Sequence, residues 1–484
     1  MKKPATLKLR EVEWAEVSRF ASNPDPPATL ALVYGRRRVG KTRLLGDAAD
    51  AANGLVITLT EQETMPALAA AADAYAGYVG GPTPVFASWR DAFDALLALG
   101  RDRPVLVVLD EFQYAVAKTP ELPSQLSAAL DPTGPGRDSR TRLVLCGSAL
   151  STMAHLGDAR APLRGRASLV LDLHPFDVVA TGAFVGVRDP YVALLLYAVT
   201  GGIPAYLGLM AASDPPTSTA DFNRWIVEAP LNPSTALFLE GEVVLGEHAD
   251  VALRVRNRSL YDSVVTAVAH GAGTVRQMSS QLGRKAADLA DALSLLLEAR
   301  LLERVQDPLR SNRPVYAADP FVRFHRNVVA PYADRLWTRR LSPNQVWADP
   351  TTHARFLTQV LGPTWEEAVR DLVVTSGRVP TTSVVGRTVV ADRAAMDIDV
   401  VAATGGRNKT IHLLAEVKVD AAAFAASHAR RLVDARAHLD RINDAAGSRL
   451  ALVAATGDWP AAVRAAAHEN GVDMLTIHDL WPPV

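Results

Sequence analysis

Gly35-Arg36-Arg37-Arg38-Val39-Gly40-Lys41-Thr42 fits the phosphate-binding pattern G-x-x-x-x-G-K-[ST] at every fixed position. It follows the apolar run Leu30–Tyr34 and precedes a helical run from Arg43. In such a strand–loop–helix unit, successive backbone N–H groups face the phosphates of a nucleotide, and the helix dipole adds partial positive charge. Lys41 would neutralise the β and γ oxygens, and the Thr42 hydroxyl would ligate Mg²⁺. Gly35, Arg38, Val39, Gly40, Lys41, Thr42 and Arg43 are therefore the candidate ATP contacts.

The 484 residues exceed what one core holds, and length alone suggests about three domains. A hydrophobic share of 49% against 21% charged describes a globular chain rather than a disordered one. The net charge of −1 excludes a global basic field, so any nucleic-acid surface must be local. One cysteine, Cys146, rules out an internal disulfide and fits a reducing cytosol. No apolar signal core follows Met1, and no run reaches the ~18 apolar residues that span a bilayer. A cytoplasmic protein without membrane partners is the expectation.

Pro104–Leu109 is a continuous apolar run ending in Asp110-Glu111. A strand apolar on both faces implies a parallel sheet covered by helices, whose ligands bind at the C-terminal strand ends. Asp110 would hold Mg²⁺ through water, and Glu111 would polarise the attacking water. Arg142–Cys146 ends in Gly147-Ser148, where Ser148 either senses the γ-phosphate or merely closes a turn. Arg164 and Arg166 lie in a short loop before Ser168–Leu173. They act as a finger, within the subunit or from a neighbour in a homo-oligomer, or they form surface salt bridges.

From Asn257 three helical stripes follow, then two short strands around the basic turn Arg310-Ser311-Asn312-Arg313, the layout of a winged helix. Between Arg300 and Arg340 nine arginines face four acids, a local excess of five positive charges that suits DNA phosphates. DNA contact and an internal regulatory role both suit this segment.

In the last third, Met396–Ala402 and Ile411–Val419 read as a β-hairpin around a Gly-rich turn at Thr404–Asn408. Asp399 and Glu416 would supply oxygen ligands to Mg²⁺ or Mn²⁺, and Lys418 would orient or deprotonate a water. Glu366 flanks the apolar stripe Trp365, Val369 and Leu372 and would reach that site, while Glu367 is expected in solvent. His428, Arg430, Arg431, Arg436 and Arg441 lie on or near a downstream helix that would track a phosphate backbone. A cross-strand Glu416–Lys418 salt bridge without catalysis is the plainer reading.

Several motifs together resemble the archaeal-type ATPases, a STAND-class branch of the AAA+-like P-loop proteins. They are Tyr34–Leu45, Asp110-Glu111-Phe112-Gln113-Tyr114, Gly147-Ser148, Leu163-Arg164-Gly165-Arg166 and Thr200-Gly201-Gly202-Ile203-Pro204-Ala205-Tyr206-Leu207. Arg164 stands where that family usually has tyrosine. The resemblance places Gly202 and Pro204 near the adenine, and Asp319-Pro320-Phe321-Val322-Arg323-Phe324 after the winged helix. The order Glu366, Asp399, Glu416-x-Lys418 resembles the PD-(D/E)XK nuclease fold.

The expected fold class is α/β: a P-loop NTPase parallel sheet with a helical lid (1–210), then a linker and winged helix (211–345), then an α/β restriction-endonuclease-like domain (346–484). The expected activity is an ATP-driven switch controlling a nuclease-like effector that acts on DNA. The alternatives are an ATP-dependent DNA-binding regulator and a protein-interaction switch with a non-catalytic C-terminal domain.

Overall fold

The computed structural model describes residues 1–157, 161–208, 210–211, 213–243, 258–310, 314–391, 395–406 and 408–482. Contacts divide these residues into two compact units, one formed by Met1–Pro175 and the other running onward from Phe176. The division falls ahead of helices Val178–Val185 and Pro190–Thr200, which the sequence reading assigned to the ATPase portion.

The first unit is built on five strands: β1 (Thr29–Gly35), β2 (Leu55–Thr58), β3 (Val105–Asp110), β4 (Thr141–Gly147) and β5 (Ala167–Leu173). All pair in parallel, in the order β2-β3-β4-β1-β5. Both faces are covered, so the apolar runs split by the period of two. Leu30, Leu32, Val107 and Leu109 join one core with helices Thr64–Val79 and Trp89–Ala98. Ala31, Val33, Leu106 and Val108 join the other with Glu11–Ala21 and Lys41–Ala52. Arg142, fully buried in β4, is satisfied by the carbonyls of Asn23 and Pro27, 2.9 Å away in each case.

The second unit begins with helices and includes three of the expected stripes, at Arg258–Ala269, Val275–Leu282 and Ala286–Glu298. Thr274 caps the second helix through a reciprocal pair with Gln277, and Gly283 ends it in the left-handed region. An antiparallel pair follows, β6 (Leu302–Val305) with β7 (Val315–Ala318). Ser311, Asn312 and Arg313 of the expected basic turn, and Arg407 of the later turn, lie outside the described residues.

The last element group is a mixed sheet of β8 (Val384–Ala391), β9 (Ala395–Thr404), β10 (Thr410–Asp420), β11 (Arg449–Thr456) and β12 (Asp473–Thr476), in the order β12-β11-β10-β9-β8. The hairpin β9–β10 is antiparallel with Val400 opposite Ala415, so Asp399 and Glu416 come side by side. Helix Gly362–Thr375 packs against β8, β9 and β10. Helix Ala426–Leu439 adds Ala429, Leu432 and Ala435 to the sheet core. The segment after β6 is bonded to β8: Arg387 N–H donates to the Gln306 carbonyl at 3.0 Å, and the Thr388 hydroxyl to Asp307 at 3.1 Å. Among the described residues no single helix is long and apolar enough to cross a membrane.

Gly202 fixes a close approach within the second unit. Its φ is +67°, its carbonyl accepts from Phe176 N–H at 2.9 Å, and a Cβ there would lie 1.9 Å from the Phe176 oxygen. Both the dihedral and the space exclude a side chain. Gly202→Ala should lower stability by about 2 kcal/mol or more, read as a lower denaturation midpoint.

Candidate functional site

In the first unit, the five parallel strands bring the predicted loop and acids to one edge. Gly35 ends β1, and a Cβ on it would lie 2.4 Å from the Leu173 carbonyl at the end of β5. Arg38 (φ +68°) and Gly40 (φ +99°) turn the loop into helix Lys41–Ala52. This alternation of dihedral sign gathers backbone N–H groups into an anion-binding concavity. Val39 is fully buried and anchors the loop in the core below. Lys41 is buried, and its ammonium donates to the carbonyls of Gly35 (2.8 Å) and Arg36 (3.1 Å). Burial pulls its pKa down, while Cys146, Glu111 and Asp110 oppose that shift.

The Thr42 hydroxyl donates to Asp110 Oδ2 at 2.8 Å, joining the first helical turn to the end of β3. Two hard oxygen donors side by side at a phosphate loop fit Mg²⁺. β4 lies between β1 and β3, so Ser148, just past its end, falls beside Glu111: its hydroxyl donates to Glu111 Oε2 at 3.0 Å. Gln113 donates to the same carboxylate oxygen. Glu111 itself has φ +56°, a sparsely populated region for a side-chain-bearing residue, held by the surrounding pairings. The buried Cys146 thiol is pushed well up, first by burial and then by Asp110.

Other predicted residues lie elsewhere. Arg43 points along its own helix to Asp47 (2.7 Å) and to Thr6 (2.7 Å). Arg164 and Arg166 precede β5, at the strand-start edge opposite the phosphate loop. Arg166 is paired there with Asp131 at 2.9 Å, and Arg164 is exposed. Gly202 and Pro204 belong to the second unit, where Pro204 opens the short helix Pro204–Leu207. Sequence reasoning missed Arg10, which reaches the Val39 carbonyl (3.2 Å) and the His174 carbonyl (2.7 Å) and so braces the loop against the end of β5. No periodic signal marks a single arginine 29 residues upstream. It also missed the Gln113 link between Glu111 and Ser148, for which the Asp-Glu-Phe-Gln run offered a signal.

In the second unit, Glu366, Asp399 and Glu416 form a chain of acids. Glu416 is 3% exposed and is held by Lys418 at 3.1 Å and by Arg431. Asp399 Oδ2 accepts from the Val417 N–H at 2.9 Å. Arg370 donates to the Asp399 carbonyl at 3.1 Å and to Glu366 at 3.3 Å, tying the helix to the strand. Burial and the neighbouring Glu416 raise the Asp399 carboxyl to about 6; burial and Asp399 raise Glu366 to about 7. Both Glu416 oxygens are thus already taken by cations. Among the described residues no group of three or more ligating side chains gathers.

Two expectations need correction. Glu367 is not in solvent: it pairs with Arg323, whose side chain is 4% exposed, because segment Pro320–Phe324 covers that side of the helix. The excess of five charges overstates the free cations of 300–340, since Arg323 is buried in that pair and Arg326 is bound to Asp262.

No family model matches the chain. The sequence is 20% identical over 348 residues to an uncharacterized protein of Methanocaldococcus jannaschii, spanning 71% of this chain and 72% of that protein. The structure is similar to the Walker-type ATPase of Pyrococcus abyssi, with a TM-score of 0.51 and 20% identity, covering 68% of this chain and 98% of that one. It also matches the Aeropyrum pernix ORC2 protein, with a TM-score of 0.44 and 16% identity, over 73% of this chain and 96% of that one. At this distance the likeness to the Pyrococcus protein concerns fold, and the fold it identifies is that of a Walker-type P-loop ATPase.

The raised acids carry a pH signature. Folded, Glu366 and Asp399 hold protons at pH values where the unfolded chain has released them. Their contribution is therefore fully present below about pH 4 and lost as pH rises through 6 to 7. Between pH 5 and pH 8, denaturant unfolding should show wild type losing about 4 kcal/mol more stability than Glu366→Gln/Asp399→Asn.

Proposed function

We propose that the chain is an ATP-binding and ATP-hydrolysing switch whose C-terminal part is a nuclease-like effector acting on DNA. The observation that carries the ATP part is the Thr42–Asp110 hydrogen bond beside the Gly35–Thr42 loop, with Glu111 and Ser148 at the next strand ends. Backbone N–H groups of 36–40 and Lys41 would bind the phosphates, and Thr42 with Asp110 would hold Mg²⁺, which would neutralise phosphate charge. Glu111 accepts a proton from the attacking water, and Ser148 and Gln113 fix its carboxylate. Arg164 or Arg166 serves as a finger toward a neighbouring copy, a role suited to the sheet edge they occupy.

Three helices and the β6–β7 pair support a winged-helix reading of 211–345, and the Glu366, Asp399, Glu416-x-Lys418 cluster a PD-(D/E)XK reading of 346–484. In that reading Asp399 and Glu416 would hold Mg²⁺ or Mn²⁺, which would supply Lewis acidity toward an attacking water. Lys418 orients the water, and Glu366 lies behind Asp399 through Arg370. ATP state biases the domain arrangement through γ-phosphate contacts. A second reading is favoured by one observation: Glu416 is already held by Lys418 and Arg431, which suits a C-terminal domain that binds DNA without cutting it.

Lys41→Ala should abolish nucleotide binding, while Glu111→Gln keeps affinity and slows hydrolysis about 100-fold. ATP titration and phosphate release check both, and unchanged affinity in Lys41→Ala refutes the loop assignment. In plasmid cleavage with Mg²⁺ or Mn²⁺, Glu416→Ala and Lys418→Ala should each fall about 100-fold below wild type. Equal cleavage by all three removes the nuclease claim and leaves the second reading.

A further inference from the structure

We infer that the turn closing helix Ala333–Trp337 is a platform for single-stranded nucleic acid. This deepens the nucleic-acid reading above and rests on it.

Arg335, Arg339 and Arg340 are exposed, and none has an ion pair or side-chain hydrogen bond among the described residues. Asp334, also exposed, is the acid on the same short stretch, so the patch carries a surplus of two positive charges in a chain of net charge −1. Trp337 lies among them with 58% of its surface open. Its ring is stacked on the buried Phe238, 6.4 Å between centroids at an interplanar angle of 13°. One face of the indole is thus supported by the protein and its orientation is set, while much of the ring remains open.

The backbone holds the arginines apart in a fixed arrangement. Arg340 N–H bonds to the Arg335 carbonyl at 2.8 Å, and Arg339 N–H to the Leu336 carbonyl at 3.0 Å. This is a Schellman closure, in which the residue after the cap takes a left-handed conformation and is usually glycine. Here that residue is Arg339, with φ +55°. A glycine would relieve the backbone, so the guanidinium is present at a conformational cost.

An aromatic face among free arginines is the chemistry that stacks an unpaired base while neutralising the adjoining phosphates. A duplex hides its base faces and offers Trp337 little. A protein partner would have to leave the three guanidinium groups solvated or match each with an acid. Single-stranded DNA and RNA share the needed chemistry, and the experiment separates them.

Fluorescence anisotropy of the full chain with labelled oligo-dT, oligo-U and a duplex of equal length tests the assignment. Wild type should prefer a single strand to the duplex, and the tighter of oligo-dT and oligo-U identifies the sugar. Trp337→Ala should weaken single-strand binding ~10-fold, with Trp337→Phe restoring most of it. Each arginine removed should lower the slope of log affinity against log salt by about 0.7. Arg339→Gly should weaken binding while its melting temperature stays equal or rises, a pairing that a structural role would not produce. Unchanged affinity in Trp337→Ala overturns the platform and leaves nucleic-acid binding elsewhere intact; equal loss on duplex and single strand overturns the single-strand assignment. If wild type binds no nucleic acid in a salt-sensitive way, the nucleic-acid reading itself fails and this inference with it.

Discussion

Parallel pairing of β1 through β5 is the constraint on which the first unit depends. With all strands running one way, every strand end that carries chemistry opens on the same edge. Placing β4 between β1 and β3 then sets the spacing: the loop after β1, the acids after β3 and Ser148 after β4 become neighbours though 37 residues or more separate them in sequence. The Thr42–Asp110 bond is the local expression of that order. Arginines that precede β5 are excluded from the same edge by the same geometry, which is why Arg166 pairs with Asp131 instead.

The second unit concentrates buried charge differently. Glu366, Asp399 and Glu416 come together because one helix lies on a hairpin, and each acid has a cation beside it or one residue removed. Arg370 contacts both the helix acid and the strand backbone, so moving the helix would alter the acids' mutual repulsion. Arg323 extends that network by pairing with Glu367, the neighbour of Glu366 in sequence. Buried ion pairs of this sort fix geometry more surely than they add stability.

Much of the first site was legible because its signals are local. A fixed octapeptide, an apolar run ending in two acids and a strand ending in Gly147-Ser148 each declare themselves within a few residues. The hairpin around Asp399 and Glu416 was legible for the same reason. What escaped was set by packing across long separations. Arg10 braces Val39 from another element, and Glu367 is held out of solvent by Arg323, on a segment more than forty residues earlier. Counting arginines likewise measured charge without revealing which ones were already bound to Glu367 or Asp262. Helical periodicity describes one element's faces and is silent on whether a second layer arrives.

The bonds from Gln306 and Asp307 to β8 have a consequence for solubility. β8 is the outermost strand of its sheet, and such a strand offers unpaired backbone groups that recruit other chains. Gln306 takes up the Arg387 N–H, and Gly386 lies so close that a Cβ on it would meet the Gln306 oxygen at 2.0 Å. The connection after β6 therefore occupies part of that edge, at Gly386–Thr388. A fragment cut after it, however well folded, would expose the Arg387 N–H and the cleft at Gly386 as a stickier border than the intact chain presents.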